Sequence, residues 1–385
     1  MTMKRLLWLS LGGLALLGIL VIGLRVLRQD PAPNYVTDEE QQEALTSGLT
    51  LTDVTLEQPD ENGELLWRVH AETVTYSPDQ QTAEVTHPEG ELYLDGEMIY
   101  RVTARRGQIL EDGQLVILSG NIVATGIESQ AVLRSDELQW RSQEQLMVLR
   151  DRITGTHPQL RAAADEARVY EREKRIELEG QVVANTVVEN PGTEPWLKLQ
   201  AEALEWRWEE EVVESTQTLR LERFLREAIT EVVTGEAGLV ELQENRATLT
   251  DNVLVELLDL DLRITGDHAL WNVDAEQVVM DRPLRADSEE QAVTLTAQQG
   301  KFDLAEQVVD LNRQVVVVGT RNDGRLTADR LRWNLADETV VAEGAVNYRQ
   351  GSPPTQVRGP QAVGYIQEQR VVISGGQVVT EIVLP

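Results

Sequence analysis

No cysteine occurs in the 385 residues. That absence excludes a disulfide framework, thiolate metal sites, a cysteine nucleophile and a thioether-linked lipid anchor together. It leaves the compartment open, because many proteins of an oxidising envelope need no disulfide. Aromatic residues are scarce at 4%, and the 8 tryptophans outnumber the 2 phenylalanines, so the placing of each tryptophan carries information. The 4 histidines, His70, His87, His157 and His268, are scattered. No HExxH, GxSxG, P-loop or dinucleotide-binding fingerprint is present. Pairs of carboxylates are unavoidable among 65 acidic residues, so 209–211 and Glu289 with Glu290 read as solvated faces rather than acid/base pairs. Basic residues are in deficit, and a formal net charge of −30 repels nucleic acid and anionic membrane surfaces. The sequence therefore reads as a non-enzyme with no catalytic residue, no metal site, no cofactor and no nucleic-acid partner.

What the chain does contain is a repeat. A small residue is followed five positions later by an apolar one, as Ala71/Tyr76, Ala104/Ile109, Ser135/Trp140, Ala164/Val169, Ala201/Trp206, Gly235/Val240, Gly266/Trp271, Ala297/Phe302, Ala328/Trp333 and Gly359/Gly364. Successive small residues lie 33, 31, 29, 37, 34, 31, 31, 31 and 31 positions apart. A fixed period in this range signals a stacked-repeat architecture. The second half of each repeat alternates apolar residues on both sides of a glycine, as in VILSGNIVA (116–124), IELEGQVVA (176–184) and VVAEGAVNY (340–348). Asp151, Asp251 and Arg313 hold the glycine's place in other repeats. This pattern describes a strand that bends sharply and continues in a second sheet. The expected fold is all-β.

The chain opens with Lys4 and Arg5, then an uncharged apolar run bounded by Leu6 and Leu24, then Arg25 and Arg28. At about 1.5 Å per residue, 6–24 is long enough to cover the roughly 30 Å hydrocarbon core of a bilayer. A cleaved signal peptide is the alternative, but the run is long for one and no small-x-small cleavage site follows. Residues 1–28 are expected to be a transmembrane anchor and 29–47 a polar tether. The flanking charges tie and do not set orientation. The alternation then begins, and 48–190 and 191–385 are expected to be two successive runs of the repeat. Helix formers crowd 160–174 and 200–213, where the repeat register favours strand over propensity. Leu221, Phe224, Leu225, Ala228, Ile229 and Val232 sit at helical spacing, so a short helix or a joint is expected near 221–232. The loop 189–195, with Asn190-Pro191-Gly192, is the main insertion.

Tyr76, Ile109, Trp140, Trp206, Trp271, Phe302 and Trp333 share the +5 position and belong on one side of the array. Two readings stand open for them: plain core packing, and the lining of a groove for acyl chains. The chain ends on an apolar strand with no charged cap, whereas repeat arrays normally close their ends with polar groups. Val378, Val379 and Ile382 are read as a docking edge there, as are Leu49, Leu51, Val54 and Leu56 at the front.

An anchor, a tether and then LLWRVHAETVTYSPDQQ and YRVTARRGQILEDGQLVILSGNIVATG together resemble the LptC family, the membrane-anchored component of lipopolysaccharide export. The later units are similar to LptA and to OstA-type repeats, and the greater length resembles the long cyanobacterial-type forms. The resemblance implies an open β-jellyroll whose inner face shields acyl chains, with the ectodomain in the periplasm and the anchor in the inner membrane. It implies lipopolysaccharide as cargo and an LptB2FG-like ABC exporter with its ATPase as a partner. It also implies edge pairing with an LptA-like or outer-membrane LptD-like jellyroll, and no catalytic residues. Transport of another glycolipid, or a scaffold with a closed core, are the rival readings. Ten repeats at about 4.8 Å per strand would span on the order of 50 to 100 Å.

Overall fold

The structure, a computed structural model, describes residues 49–319, 323–351, 354–366, 368, 370–376 and 379–382. The expected anchor with Leu6 and Leu24, the tether, and Val378 lie outside the described residues. Among the described residues no helix is long and apolar enough to cross a membrane. Their helical content is three single 3-10 turns, Glu111–Gly113, Glu171–Glu173 and Leu258–Leu260. Everything else of regular structure is strand: 28 of them, joined by antiparallel pairing into one continuous ladder from Thr50–Pro59 to Val379–Ile382. The described residues from Leu49 onward belong to one compact unit.

A creased strand is the building element. In Leu115–Gly126 the residues Val116, Leu118, Ile122 and Ala124 are buried, while Gly120 and Asn121 between them stand opposite the single residue Asp136 of Val132–Arg141. Two residues facing one make a β-bulge, which bends the strand and carries it from one sheet into the other. Both bulge residues take positive φ, 82° at Gly120 and 51° at Asn121. The same paired signature recurs at Asp151/Arg152, Gly180/Gln181, Asp251/Asn252, Arg313/Gln314 and Gly344/Ala345. The sequence places a glycine or its stand-in at each of these creases.

The small residue of the repeat has a steric reason. Ser135, Ala164, Ala201, Gly266, Ala328 and Gly359 each stand beside the residue that faces a bulge, at the inside of the crease. At Gly266 the space is short: an added Cβ would lie 2.7 Å from Met280 Cε and 3.0 Å from the Pro283 carbonyl oxygen. At 87–88, 216–218 and 281–283 the strand is interrupted instead of bulged, giving one short strand to each sheet, for example Ala83–Thr86 and Glu89–Leu94. The helix-forming stretches resolve as Leu160–Tyr170 and Trp196–Arg207, both strands, so register overrides propensity as expected.

Residues 221–232 correct the expectation of a helix or joint. Leu219–Leu225 and Ala228–Gly235 form a β-hairpin whose turn is Arg226-Glu227, at φ 53° and 66°. Both faces of this hairpin are covered, Leu221 and Val233 within and Glu222 and Val232 without, so apolar residues do not alternate and mimic helical spacing. Pairing passes directly across the 189–195 loop, from Arg175–Thr186 to Trp196–Arg207.

Candidate functional site

The +5 residues form one row. Tyr76 pairs with Ala83, Ala83 with Ile109, Ile109 with Val116 and Val116 with Trp140. The row continues in register through Met147, Val169 and Ile176 to Trp206, and through Val213, Val240 and Ala247 to Trp271. It then passes Val278, Phe302 and Val309 to Trp333, and ends at Val340, Gly364 and Val371. Each +5 residue is followed seven positions later by its partner across the turn. This second apolar position, twelve after the small residue, was readable in the sequence and was missed.

Burial varies along the row. Trp140, Trp271, Phe302 and Trp333 are at most 1% exposed, and Ile109 is buried too, while Tyr76 and Trp206 are half-buried. A matching row on the other sheet, including Ala124, Leu133, Ala162, Ala184, Leu199 and Leu221, faces them. The two rows enclose one apolar interior that runs from Trp67 to Trp333. Cavities remain in it. About 160 Å³ lies near the C-terminal end, lined by Leu295, Val317 and Leu326 from one sheet and Trp333, Val340 and Val371 from the other. Two smaller spaces of about 30 Å³ each adjoin Trp206.

Opposite the creases, the outer rims of the two sheets are tied by side chains. The Trp67 indole donates to the Gly113 carbonyl at 2.7 Å, Arg172 pairs with Asp95 at 3.0 Å, and Gln159 donates to Glu211 at 2.7 Å. Arg223 reaches Glu276 at 2.6 Å and Glu231 at 3.2 Å. Near the same opening, burial first, then the neighbouring Glu171 carboxylate, pushes the Tyr100 phenol far above its ordinary value. The ties between the sheets join residues distant in sequence and had no signal in it, whereas Arg223 and Glu231 face each other within one hairpin. Away from the interior, cross-strand ion pairs such as Arg150–Glu166 and Arg332–Asp310 cover the outer faces.

The histidines do not converge. His70 bonds Thr55, His87 bonds Glu72, His268 bonds Asp281, and His157 sits edge-on to the Trp206 ring at 4.7 Å. Among the described residues no group of acidic or histidine side chains could hold a metal ion. At the two ends, Thr50–Pro59 pairs only with Leu65–Tyr76, and Arg370–Ser374 and Val379–Ile382 only with Thr355–Tyr365, among the described residues. Leu49 stands just ahead of the first edge strand, which carries Leu51, Val54 and Leu56; the last holds Val379 and Ile382.

The architecture defines a class: an all-β ladder of creased strands in two sheets, with an uninterrupted apolar interior and, among the described residues, end strands that pair on one side. The family model described as lipopolysaccharide-assembly, LptC-related, matches residues 14–187 and 260–381, and the chain belongs to this family. No curated protein matches the sequence. Among solved structures it is similar to LptH, the LptA-homologous periplasmic component of the lipopolysaccharide transport device of Pseudomonas aeruginosa. That similarity is 12% identity over 40% of this chain and 94% of that chain, with a TM-score of 0.19. A likeness of that size carries no structural argument.

Proposed function

We propose that this chain is a membrane-anchored lipopolysaccharide transport protein. Residues 6–24 hold it in the inner membrane as a single span, with the ectodomain in the periplasm. It receives lipopolysaccharide from an ABC exporter driven by its ATPase and passes the acyl chains along the interior between the sheets toward the outer membrane. Tyr76, Ile109, Trp140, Trp206, Trp271, Phe302 and Trp333 line the path. The front edge, with Leu49 to Leu56, pairs with the exporter's periplasmic part, and the rear edge, with Val378, Val379 and Ile382, with an LptA-like or LptD-like partner.

One observation carries this reading: an apolar row in unbroken register from Tyr76 to Val371, in a chain of the LptC family. Burying an acyl methylene is worth about 0.8 kcal/mol, so a chain of a dozen carbons would be held firmly in such an interior. Affinity that is uniform along the row does not move cargo by itself, and directed motion needs the exporter's ATP.

A scaffold with a closed core is the second reading, favoured by the full burial of Trp140, Trp271 and Trp333 and by the tied rims. Photocrosslinking in native membranes separates the two. Probes replace Trp140, Trp271 and Trp333 in turn, with outward controls at Glu241 and Asp337. A glycolipid adduct confined to the tryptophan positions and dependent on ATP is expected. Protein adducts alone would leave the scaffold.

A further inference from the structure

The interior row carries a polar feature that acyl-chain packing does not require. Four of its tryptophans, Trp140, Trp206, Trp271 and Trp333, bury their indole Nε1 with no acceptor within reach. Trp67, off this row, donates its indole to the Gly113 carbonyl. A buried donor left without an acceptor costs about 1–3 kcal/mol, and native interiors hold few of them. Phenylalanine would fill an aromatic position without that cost, and Phe302 does so on the same row at 1% exposure.

The four donors are also evenly placed. Trp140, Trp206, Trp271 and Trp333 are each separated by four strand steps in the register. At about 4.8 Å per step this is roughly 19 Å between donors. Two of the four adjoin open space: Trp333 lines the cavity of about 160 Å³, and Trp206 the two of about 30 Å³. The rest of the C-terminal cavity wall is mostly aliphatic, from Leu295, Val317, Leu326 and Val340, with Gln291, Tyr348, Tyr365 and Arg370 also lining it.

We propose that these indole N–H groups are a series of hydrogen-bond donors for oxygen atoms carried on acyl chains, namely ester or amide carbonyls and chain hydroxyls. The ligand class is a lipid with acceptors set within its apolar part, as opposed to a plain hydrocarbon. This rests on the reading that the interior admits acyl chains, and it adds a basis for choosing among them. A site with a buried donor discriminates against an analogue lacking the acceptor, because binding then leaves the donor unpaired. One hydrogen bond of ordinary net worth corresponds to about three- to tenfold in affinity.

The test uses the full chain in detergent-free nanodiscs and two pyrene-labelled probes of equal length, one an unbroken alkyl chain and one with a mid-chain ester. In one variant Trp140, Trp206, Trp271 and Trp333 are replaced together by β-(3-benzothienyl)alanine, which exchanges each indole N–H for sulfur at nearly unchanged shape, and in the second all four are replaced by Phe. The native chain is expected to bind the ester probe three- to tenfold more tightly than the alkyl probe. The benzothienyl variant is expected to lose that preference while binding the alkyl probe as before, with a melting temperature equal to or above the native one, and the Phe variant to lose the preference with a lower melting temperature from the space it opens. Equal binding of both probes by the native chain, or a preference that survives in the benzothienyl variant, would overturn the donor proposal alone. Failure of either probe to bind the native chain would overturn the acyl-chain reading beneath it as well.

Discussion

At the six bulged creases two consecutive residues occupy the left-handed region, where glycine has no steric penalty and other residues do. Gly180, at φ 79°, also lacks space for a side chain, since an added Cβ would lie 2.5 Å from an Asp165 carboxylate oxygen and 2.7 Å from its Cβ. Gly180→Val is expected to lower stability by about 1–3 kcal/mol in urea unfolding. Arg313 holds the equivalent position at φ 64°, so Arg313→Gly is expected to leave stability unchanged within about 1 kcal/mol or raise it. If both variants lose stability alike, the crease does not depend on backbone freedom. His157 offers a second residue-scale prediction. Burial holds its imidazole below the ordinary value, with Glu211 pulling the other way, and its Nδ1 accepts the Gln159 backbone N–H at 3.1 Å. The unfolded chain therefore binds the proton more readily, so this contribution is complete above about pH 6.5 and is lost as pH falls through the depressed folded value. His157→Gln is expected to flatten the pH dependence of the melting temperature on the acid side of pH 6.5. An unchanged slope would show that His157 is not its source.

At the scale of elements, the ion pair between Arg223 and Glu231 in the 219–235 hairpin is enclosed, with Arg223 4% and Glu231 8% exposed. Removing one partner of a buried ion pair strands the other charge, at about 3–5 kcal/mol, whereas replacing both by apolar groups is often neutral. Arg223→Met is expected to show that loss, Arg223→Met with Glu231→Leu to recover most of it, and Glu276→Gln, at the more open end, to cost less. Denaturant titration of the three variants checks the order, and a double variant no better than Arg223→Met would refute the enclosed-pair account. The crease and the +5 row were legible in sequence because each is local: a small residue fits the inside of the bend, and the period fixes what lies five positions on. The hairpin at 219–235 was not legible, since its outer face is covered too, with Phe224 stacked on Trp196 at 4.2 Å. The rim ties were hidden for a different reason. Arg223 and Glu276 lie 53 positions apart, and with 65 acidic residues no carboxylate announces its partner.

For the whole molecule, the net charge of −30 sets an acidic chain against the apolar interior of the described residues, and at the C-terminal end that interior comes to the surface. At the C-terminal end the interior row reaches Val371, which is 37% exposed, and Val372 beside it is 40% exposed. The last strands pair on one side only, among the described residues, so backbone donors and acceptors there remain available for strand addition. A partner strand laid on Arg370–Ser374 would extend the sheet and also cover the end of the apolar row, so one contact would join two interiors. Charge at this edge opposes both effects. Val371→Lys with Val372→Lys is therefore expected to leave the melting temperature nearly unchanged, because both side chains are already exposed. The same variant is expected to abolish concentration-dependent association of the full chain, or its capture of a jellyroll partner, in sedimentation velocity. Lysines at the exposed neutral positions Gln108 and Ala336 supply the control for the same added charge. Association lost only with the edge lysines would place the junction at this end, whereas association that persists would remove the C-terminal edge as the route by which cargo leaves.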